Sequence, residues 1–101
     1  MSRYQKTPQA ATITTKTPFT PVGDIYDPEG TKRFYVVQQT ETVRYADSGK
    51  IKAQGTRYYI MDRKTGELYS DPKKGVQAYQ NDVSCYIVAN RLTAEDNKNT
   101  Q

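Results

Sequence analysis

Apolar residues are concentrated in the middle of this 101-residue chain, and that uneven distribution limits what it can fold into. Hardly any aliphatic side chain occurs in the first thirty residues or in the last ten. Hydrophobic residues make up 35% of the whole chain, below the roughly 45–50% of an average globular protein. A domain of about 60 residues buries only about 60% of its unfolded surface. Such a domain holds one sheet and one helix, and we do not expect it to enclose a deep catalytic pocket.

The predicted organisation is an arm, one compact domain and a short tail. Residues 1–28 are rich in threonine and proline and contain too little apolar surface to offset the entropy of ordering, so we expect a flexible arm. An alternative is an arm that becomes ordered on a partner, with Phe19 as its anchor. Asp27-Pro28-Glu29-Gly30 has the chemistry of a turn. We therefore predict a single domain over residues 29–92 and a disordered polar tail over residues 93–101.

Aromatic and β-branched residues in the first half of this domain predict strands. Residues 33–45 contain neither glycine nor proline, as expected of a long strand. After a turn, residues 50–54 alternate between charged and apolar side chains, which is typical of an edge strand with one solvated face. Residues 57–61 are expected to pair with residues 67–69 across a short loop in which Gly66 adopts the left-handed conformation.

The last element of the domain has two interpretations. Asp71-Pro72-Lys73-Lys74 has the pattern of a helix start, with aspartate as N-cap and proline at the first helical position. Apolar residues between 76 and 87 fall on one helical face, yet residues 83–88 also alternate as a strand does. We favour a helix that continues to about Arg91, and the alternative is a short helix followed by a final strand. The predicted class is α+β, with a small antiparallel sheet of three to four strands and one C-terminal helix.

The residue types missing from the sequence favour a protein that is not an enzyme, and a carboxylate-only or lysine-based enzyme stays open as the alternative. The chain contains no histidine and a single cysteine, Cys85. Ser-His and Cys-His nucleophile pairs, histidine-ligated metal sites and cysteine clusters are therefore excluded. The glycines do not form a phosphate-binding loop. We predict no catalytic residue, no metal site and no cofactor, and we expect Cys85 to be a buried thiol with a raised pKa.

The same composition predicts an intracellular protein. Small secreted domains usually contain several cysteines. No apolar run approaches the ~20 residues that cross a bilayer, and the first six residues are not followed by the apolar segment of a secretory signal. We therefore expect a cytoplasmic protein with no membrane partner. The net charge of +4 permits a polyanionic partner without requiring one.

Nine tyrosines and no tryptophan favour a binding function. Tyrosine combines a large contact area with a polar tip and is enriched at interfaces. Our first hypothesis is a small adaptor or inhibitor that binds a macromolecule, with a protein favoured as the partner. A structural subunit that forms homo-oligomers through the edge at residues 50–54 is a further possibility. The contact residues predicted on the sheet are Tyr45, Arg57, Tyr58, Tyr59 and Tyr69.

The alternative hypothesis is a nucleic-acid-binding module. Basic residues lie in pairs on the expected edge strand, at the hairpin tip and in the expected first turn of the helix. If these three places converge, they form a surface that contacts phosphates. Acidic residues lie between them, so a solvated surface of mixed charge stays open as an interpretation. The predicted phosphate-binding residues are Lys50, Lys52, Arg63, Lys64, Lys73 and Lys74.

Overall fold

A computed structural model describes residues 11–22 and 27–99 of the chain, and the fold is α+β as predicted. Expectations for residues 1–10, 23–26 and 100–101 lie outside the described residues. Eight elements follow one another along the chain: β1 (Thr12–Lys16), β2 (Thr20–Pro21), β3 (Phe34–Tyr45), β4 (Ile51–Asp62), β5 (Glu67–Leu68), β6 (Ser70–Asp71), β7 (Gly75–Val76) and α1 (Asp82–Asn99).

The strands form a five-stranded sheet and a separate two-stranded one. The larger sheet has the order β1-β3-β4-β5, with β2 also paired to β3, and β6 pairs with β7. The chain divides into two compact units. We call residues 11–17 with 40–55 the ribbon unit, and residues 18–22, 27–39 and 56–99 the helix unit.

The long strand and the hairpin predicted from the sequence are both confirmed. β3 contains 12 residues, as does β4. The N–H of Gly66 donates to the carbonyl of Asp62 at 2.8 Å, and the N–H of Gly49 donates to the carbonyl of Tyr45 at the same distance. Both glycines have positive φ, 77° and 75°, a backbone region that side chains with a Cβ rarely adopt. A glycine with positive φ therefore closes both the loop that follows β3 and the loop that follows β4.

The structure differs from the predicted flexible arm where β1 and β2 occur. Residues Thr12 to Lys16 pair antiparallel with Tyr45 to Glu41 of β3, and Thr20–Pro21 pairs with Gln38 and Val37. Both short strands are exposed along their whole length. Threonine is β-branched and fits a solvated pleated surface. Backbone pairing to β3 therefore orders these segments. Their low apolar content did not predict this pairing.

The predicted helix start at Asp71 and Pro72 is wrong, and so is the alternative of a final strand at residues 83–88. The Asp71 carboxylate accepts the N–H groups of Lys73 and Lys74 at 2.8 and 3.0 Å, but the segment turns back as the β6–β7 hairpin. Gly75, with φ of 76°, closes that turn.

Helix α1 begins later and ends later than predicted. Asn81 acts as its N-cap, since its side-chain oxygen accepts the N–H of Ser84 at 2.8 Å. The helix continues to Asn99, so most of the predicted polar tail is helical. Thr93 explains part of this extension: it is buried, and its hydroxyl accepts the N–H of Phe34 at 3.1 Å and donates to the Phe34 carbonyl at 3.2 Å.

The core lies in the helix unit, between the sheet and α1. Small residues at Cys85 and Ala89 form the buried face of the helix and pack in one cluster with Phe34, Val36 and Ile60. Side chains four residues apart lie on one side of a helix, so this stripe faces the sheet. Cys85 is fully buried, and burial raises the pKa of its thiol to about 12. The prediction of a buried cysteine with a raised pKa is confirmed.

An ion-pair network closes the same unit at the other end of the helix. Arg33 donates to both carboxylate oxygens of Asp62 at 3.1 Å, and to Asp96 of α1 at 2.6 Å. The Arg33 guanidinium lowers the pKa of Asp62, and the backbone N–H of Lys64, 3.0 Å from that carboxylate, lowers it further. The network therefore ties the start of β3 to the end of β4 and to α1.

Candidate functional site

Two of the tyrosines predicted as contact residues belong to the core. Tyr58 and Tyr69 pack against the buried cluster of the helix unit. Tyr58 exchanges backbone hydrogen bonds with Tyr79 at 2.9 and 2.8 Å. The ring of Tyr69 meets the ring of Phe34 edge to face at 5.5 Å between centroids. These tyrosines fill a thin, half-buried core, so replacing them would change stability as well as any contact with a partner.

The remaining predicted contact residues lie on the other face of β4 or in the other unit. Tyr59 points away from Tyr58 and contacts the ring of Phe19 at 5.2 Å between centroids. Arg57 is exposed and donates to the carbonyl of Thr56 at 3.4 Å. Tyr45 lies in the ribbon unit, opposite Thr12. Phe19, expected as an anchor for a partner, thus has an aromatic contact within the chain.

Among the six predicted phosphate-binding residues, Arg63 has the side chain that is bound most extensively within the chain. Its guanidinium donates to Asp27 at 2.6 Å and to the carbonyl of Lys32 at 2.9 Å. The same group lies 4.2 Å from the centroid of the Tyr35 ring. These contacts hold Arg63 as part of the fold. Asp27 also accepts the N–H groups of residues 31 and 32, and the predicted turn after it is confirmed by the bond from Gly30 N–H to its carbonyl.

The five lysines are exposed but divided between the units. Lys50 and Lys52 belong to the ribbon unit. Lys64 lies in the loop after β4, and Lys73 and Lys74 lie in the turn of the β6–β7 hairpin. The predicted contribution of a helix start is therefore wrong, because the turn that contains the last two lysines precedes no helix directly.

The ribbon unit contains a free strand edge. Residues 40–45 of β3 form its middle, with β1 on one side and β4 on the other. All residues of β4 from Ile51 to Gly55 are exposed. Further along, β4 pairs with β5 at Met61 and Asp62 and has a bridge at Tyr58. Within the described part of the chain, no strand pairs with the outer side of Ile51–Gly55. Alternate backbone donors and acceptors there face away from the sheet.

The side chains beside this edge include both cationic and apolar ones. The Gln54 amide donates to the Thr42 hydroxyl at 2.8 Å, so the side chains of Gln54 and Thr42 lie together. Lys52 of β4 and Arg44 of β3 are exposed in the same unit. Ile51, at the start of the edge, is 49% exposed. The ribbon unit therefore presents cationic and apolar side chains at and beside the free edge.

The sequence predicted this edge but missed the strand that completes the ribbon. Alternation over residues 50–54 indicated an edge strand, and the structure confirms a strand that begins at Ile51. β1 is hard to recognise from the sequence because its surroundings are rich in proline and poor in aliphatic residues. Its own run, Thr12–Lys16, is mostly β-branched, and that run was the available signal.

Comparisons with protein families, with curated proteins and with solved structures find no match to this chain. Over residues 11–22 and 27–99, no helix combines the length and apolarity that a bilayer-spanning segment needs. The same residues contain no group of three or more cysteines and carboxylates arranged to hold a metal ion. Geometry and charge are thus the grounds on which a function is assigned.

Proposed function

We propose that this chain is a non-catalytic binding protein that accepts an extended segment of a partner protein at the Ile51–Gly55 edge of β4. The observation that supports this proposal is the exposed edge without a pairing strand among the described residues. In strand addition, main-chain hydrogen bonds provide affinity, and alternate side chains provide specificity. The single buried cysteine suits a reducing compartment, so the proposed place of action is the cytoplasm.

The side chains beside the edge indicate which class of partner segment fits it. Lys52, Arg44 and Ile51 are all exposed at or beside the edge. A partner strand that contains both acidic and apolar side chains matches this combination. Lysine on an edge also discourages indiscriminate pairing between strands. We therefore propose an alternating acidic and apolar segment as the partner's recognition element.

Substituting Lys52→Glu is expected to weaken binding of a short acetylated peptide of alternating glutamate and valine. Exposed ion pairs contribute roughly 0.2–1 kcal/mol each, and reversing a charge replaces attraction by repulsion. The dissociation constant should rise about threefold to tenfold. The measurement is a titration followed by backbone NMR shifts of residues 51–55.

Lys64→Glu is the matched control, because Lys64 is also exposed but lies in the loop of the helix unit. It should leave the affinity unchanged. Equal losses in the two variants would mean general attraction between charges, and no binding of the acidic peptide by the unaltered protein would reject the proposed function.

Nucleic-acid binding is the second candidate, supported by the same cationic side chains. Two-stranded and larger β-ribbons are known to contact DNA grooves, and Arg44, Lys52 and Gln54 of the ribbon unit offer donors. Salt distinguishes the candidates: about three phosphate contacts would lower affinity for an oligonucleotide roughly fortyfold between about 50 and 200 mM salt. Binding of a peptide through main-chain hydrogen bonds should change far less.

A further inference from the structure

A cleft of about 310 Å³ lies in the helix unit, between the β6–β7 hairpin and α1. Tyr69, Tyr79, Val88 and Leu92 are among the residues that line it, and we call these four its floor. All four are half-buried and pack against the core cluster, so their positions are fixed by the fold. Small-molecule sites commonly occupy about 300–1,000 Å³. This cleft therefore has room for one aromatic ring or a short aliphatic group.

The charged residues that line the cleft, which we call its rim, are mostly cationic. Lys74 and Arg91 both line it, together with Asp71. The Asp71 carboxylate already accepts the backbone N–H groups of Lys73 and Lys74 at 2.8 and 3.0 Å. These bonds lower the pKa of Asp71, and the nearby positive charges of Lys74 and Arg91 lower it further. Among the residues that line the cleft, two cations thus accompany one carboxylate that stays ionised.

Neither cation is held in a buried ion pair. Arg91 forms an ion pair with Glu95 at 4.0 Å, and both of these side chains are mostly exposed. Among the described residues, the Lys74 ammonium makes no hydrogen bond or ion pair. Arginine presents a planar set of donors that matches the oxygens of a carboxylate or phosphate, while lysine supplies a compact charge. The rim is therefore able to hold an oxyanion above the apolar floor.

We propose that this cleft binds a small organic anion, in which a single oxyanion group is attached to an aromatic ring or a short aliphatic body. The oxyanion lies between Lys74 and Arg91. The apolar body rests on Val88 and Leu92 between the two tyrosine rings. This site is separate from the edge at Ile51–Gly55, so either proposal stands if the other fails.

Lys74→Gln is expected to weaken binding of phenyl phosphate about tenfold, since a hydrogen bond to a charged group contributes roughly 1.5–3 kcal/mol and this one is partly solvated. Affinity is measured by NMR titration, with shifts expected at Tyr79, Val88 and Leu92. Lys73→Gln is the matched control: it removes the same charge from the same turn, but Lys73 is not among the residues that line the cleft. It should leave the affinity within about twofold.

Two further probes test the two halves of the ligand. Inorganic phosphate contains the anion alone and benzyl alcohol the ring alone, and each should bind at least about tenfold more weakly than phenyl phosphate. Equal losses in the two lysine variants would overturn the proposal, because attraction would then be unspecific. Equal binding of benzyl alcohol and phenyl phosphate, or no shift at the three lining residues, would overturn it as well.

Discussion

Replacing Phe34 by alanine is expected to lower the free energy of unfolding by about 3–5 kcal/mol, the usual loss for a buried phenylalanine. Phe34 is 6% exposed and belongs to the core cluster. Its ring contacts Tyr69, and the Arg33 guanidinium lies 4.8 Å from its centroid. Small domains have only about 5–15 kcal/mol of stability in total. The variant should therefore be partly or wholly unfolded at room temperature.

Urea unfolding followed by circular dichroism measures this loss. Val83→Ala is the matched control, because Val83 lies on α1 and is 54% exposed. An exposed substitution of this kind should change the unfolding free energy by no more than about 0.5 kcal/mol. A loss below about 1 kcal/mol for the Phe34 variant would contradict the position of the core.

Asp62→Asn is expected to lower the free energy of unfolding by about 2 kcal/mol at neutral pH. Paired hydrogen bonds between a guanidinium and a carboxylate are among the stronger ones in proteins. The Asp62 side chain is only 11% exposed. Breaking a fully buried pair costs about 3–5 kcal/mol, and the loss is smaller here because the Arg33 side chain is 29% exposed. Asparagine keeps the shape of the side chain but removes its charge.

The same substitution should reduce the acid sensitivity of the fold. Arg33 holds the pKa of Asp62 below its ordinary value, which is about 3.9 in an unfolded chain. The Asp62 carboxylate therefore binds a proton more readily in the unfolded chain than in the folded one. Its contribution to the free energy of unfolding is complete well above the unfolded pKa and is lost as pH falls through the lower folded pKa. The unfolding free energy should therefore change less between neutral pH and a pH below the folded pKa of Asp62 in the variant than in the unaltered protein.

Glu95→Gln is the control for this experiment, since Glu95 is 61% exposed in its ion pair with Arg91. It should leave both stability and acid sensitivity nearly unchanged. If the gap between the Asp62 variant and the unaltered protein stays constant at low pH, the Asp62 carboxylate is not held ionised by Arg33.

Local patterns predicted the elements whose hydrogen bonds are local. β3 and the hairpin after β4 follow from β-branched runs and from Gly66. The wrong prediction of a helix start at Asp71 has a physical reason. The Asp71 carboxylate accepts N–H groups two and three residues ahead, and an N-cap makes bonds to the same positions. The first residues therefore look alike in a hairpin turn and in a helix start. Gly75 decides between them, since the turn needs a positive φ there.

The candidate edge was predictable, but the contacts that occupy other predicted site residues were not. Alternation over residues 50–54 is a local signal for an edge strand. Arg63 pairs with Asp27, 36 residues away, and Tyr59 contacts Phe19 in a segment without a recognisable apolar pattern. Such pairings depend on tertiary structure, which composition and periodicity do not encode. The cationic cleft is hidden for the same reason, because Lys74 and Arg91 come from different elements.

Amide hydrogen exchange of residues 51–55, measured with and without the acidic peptide of alternating glutamate and valine, tests the central claim most directly. In the free protein, alternate amides of this edge should exchange rapidly, because they donate to no strand among the described residues. Peptide binding should slow those amides and leave the helix unit unchanged. Amides 51–55 that are all protected without peptide, or an exchange pattern that the bound peptide does not alter, would contradict a strand-accepting edge.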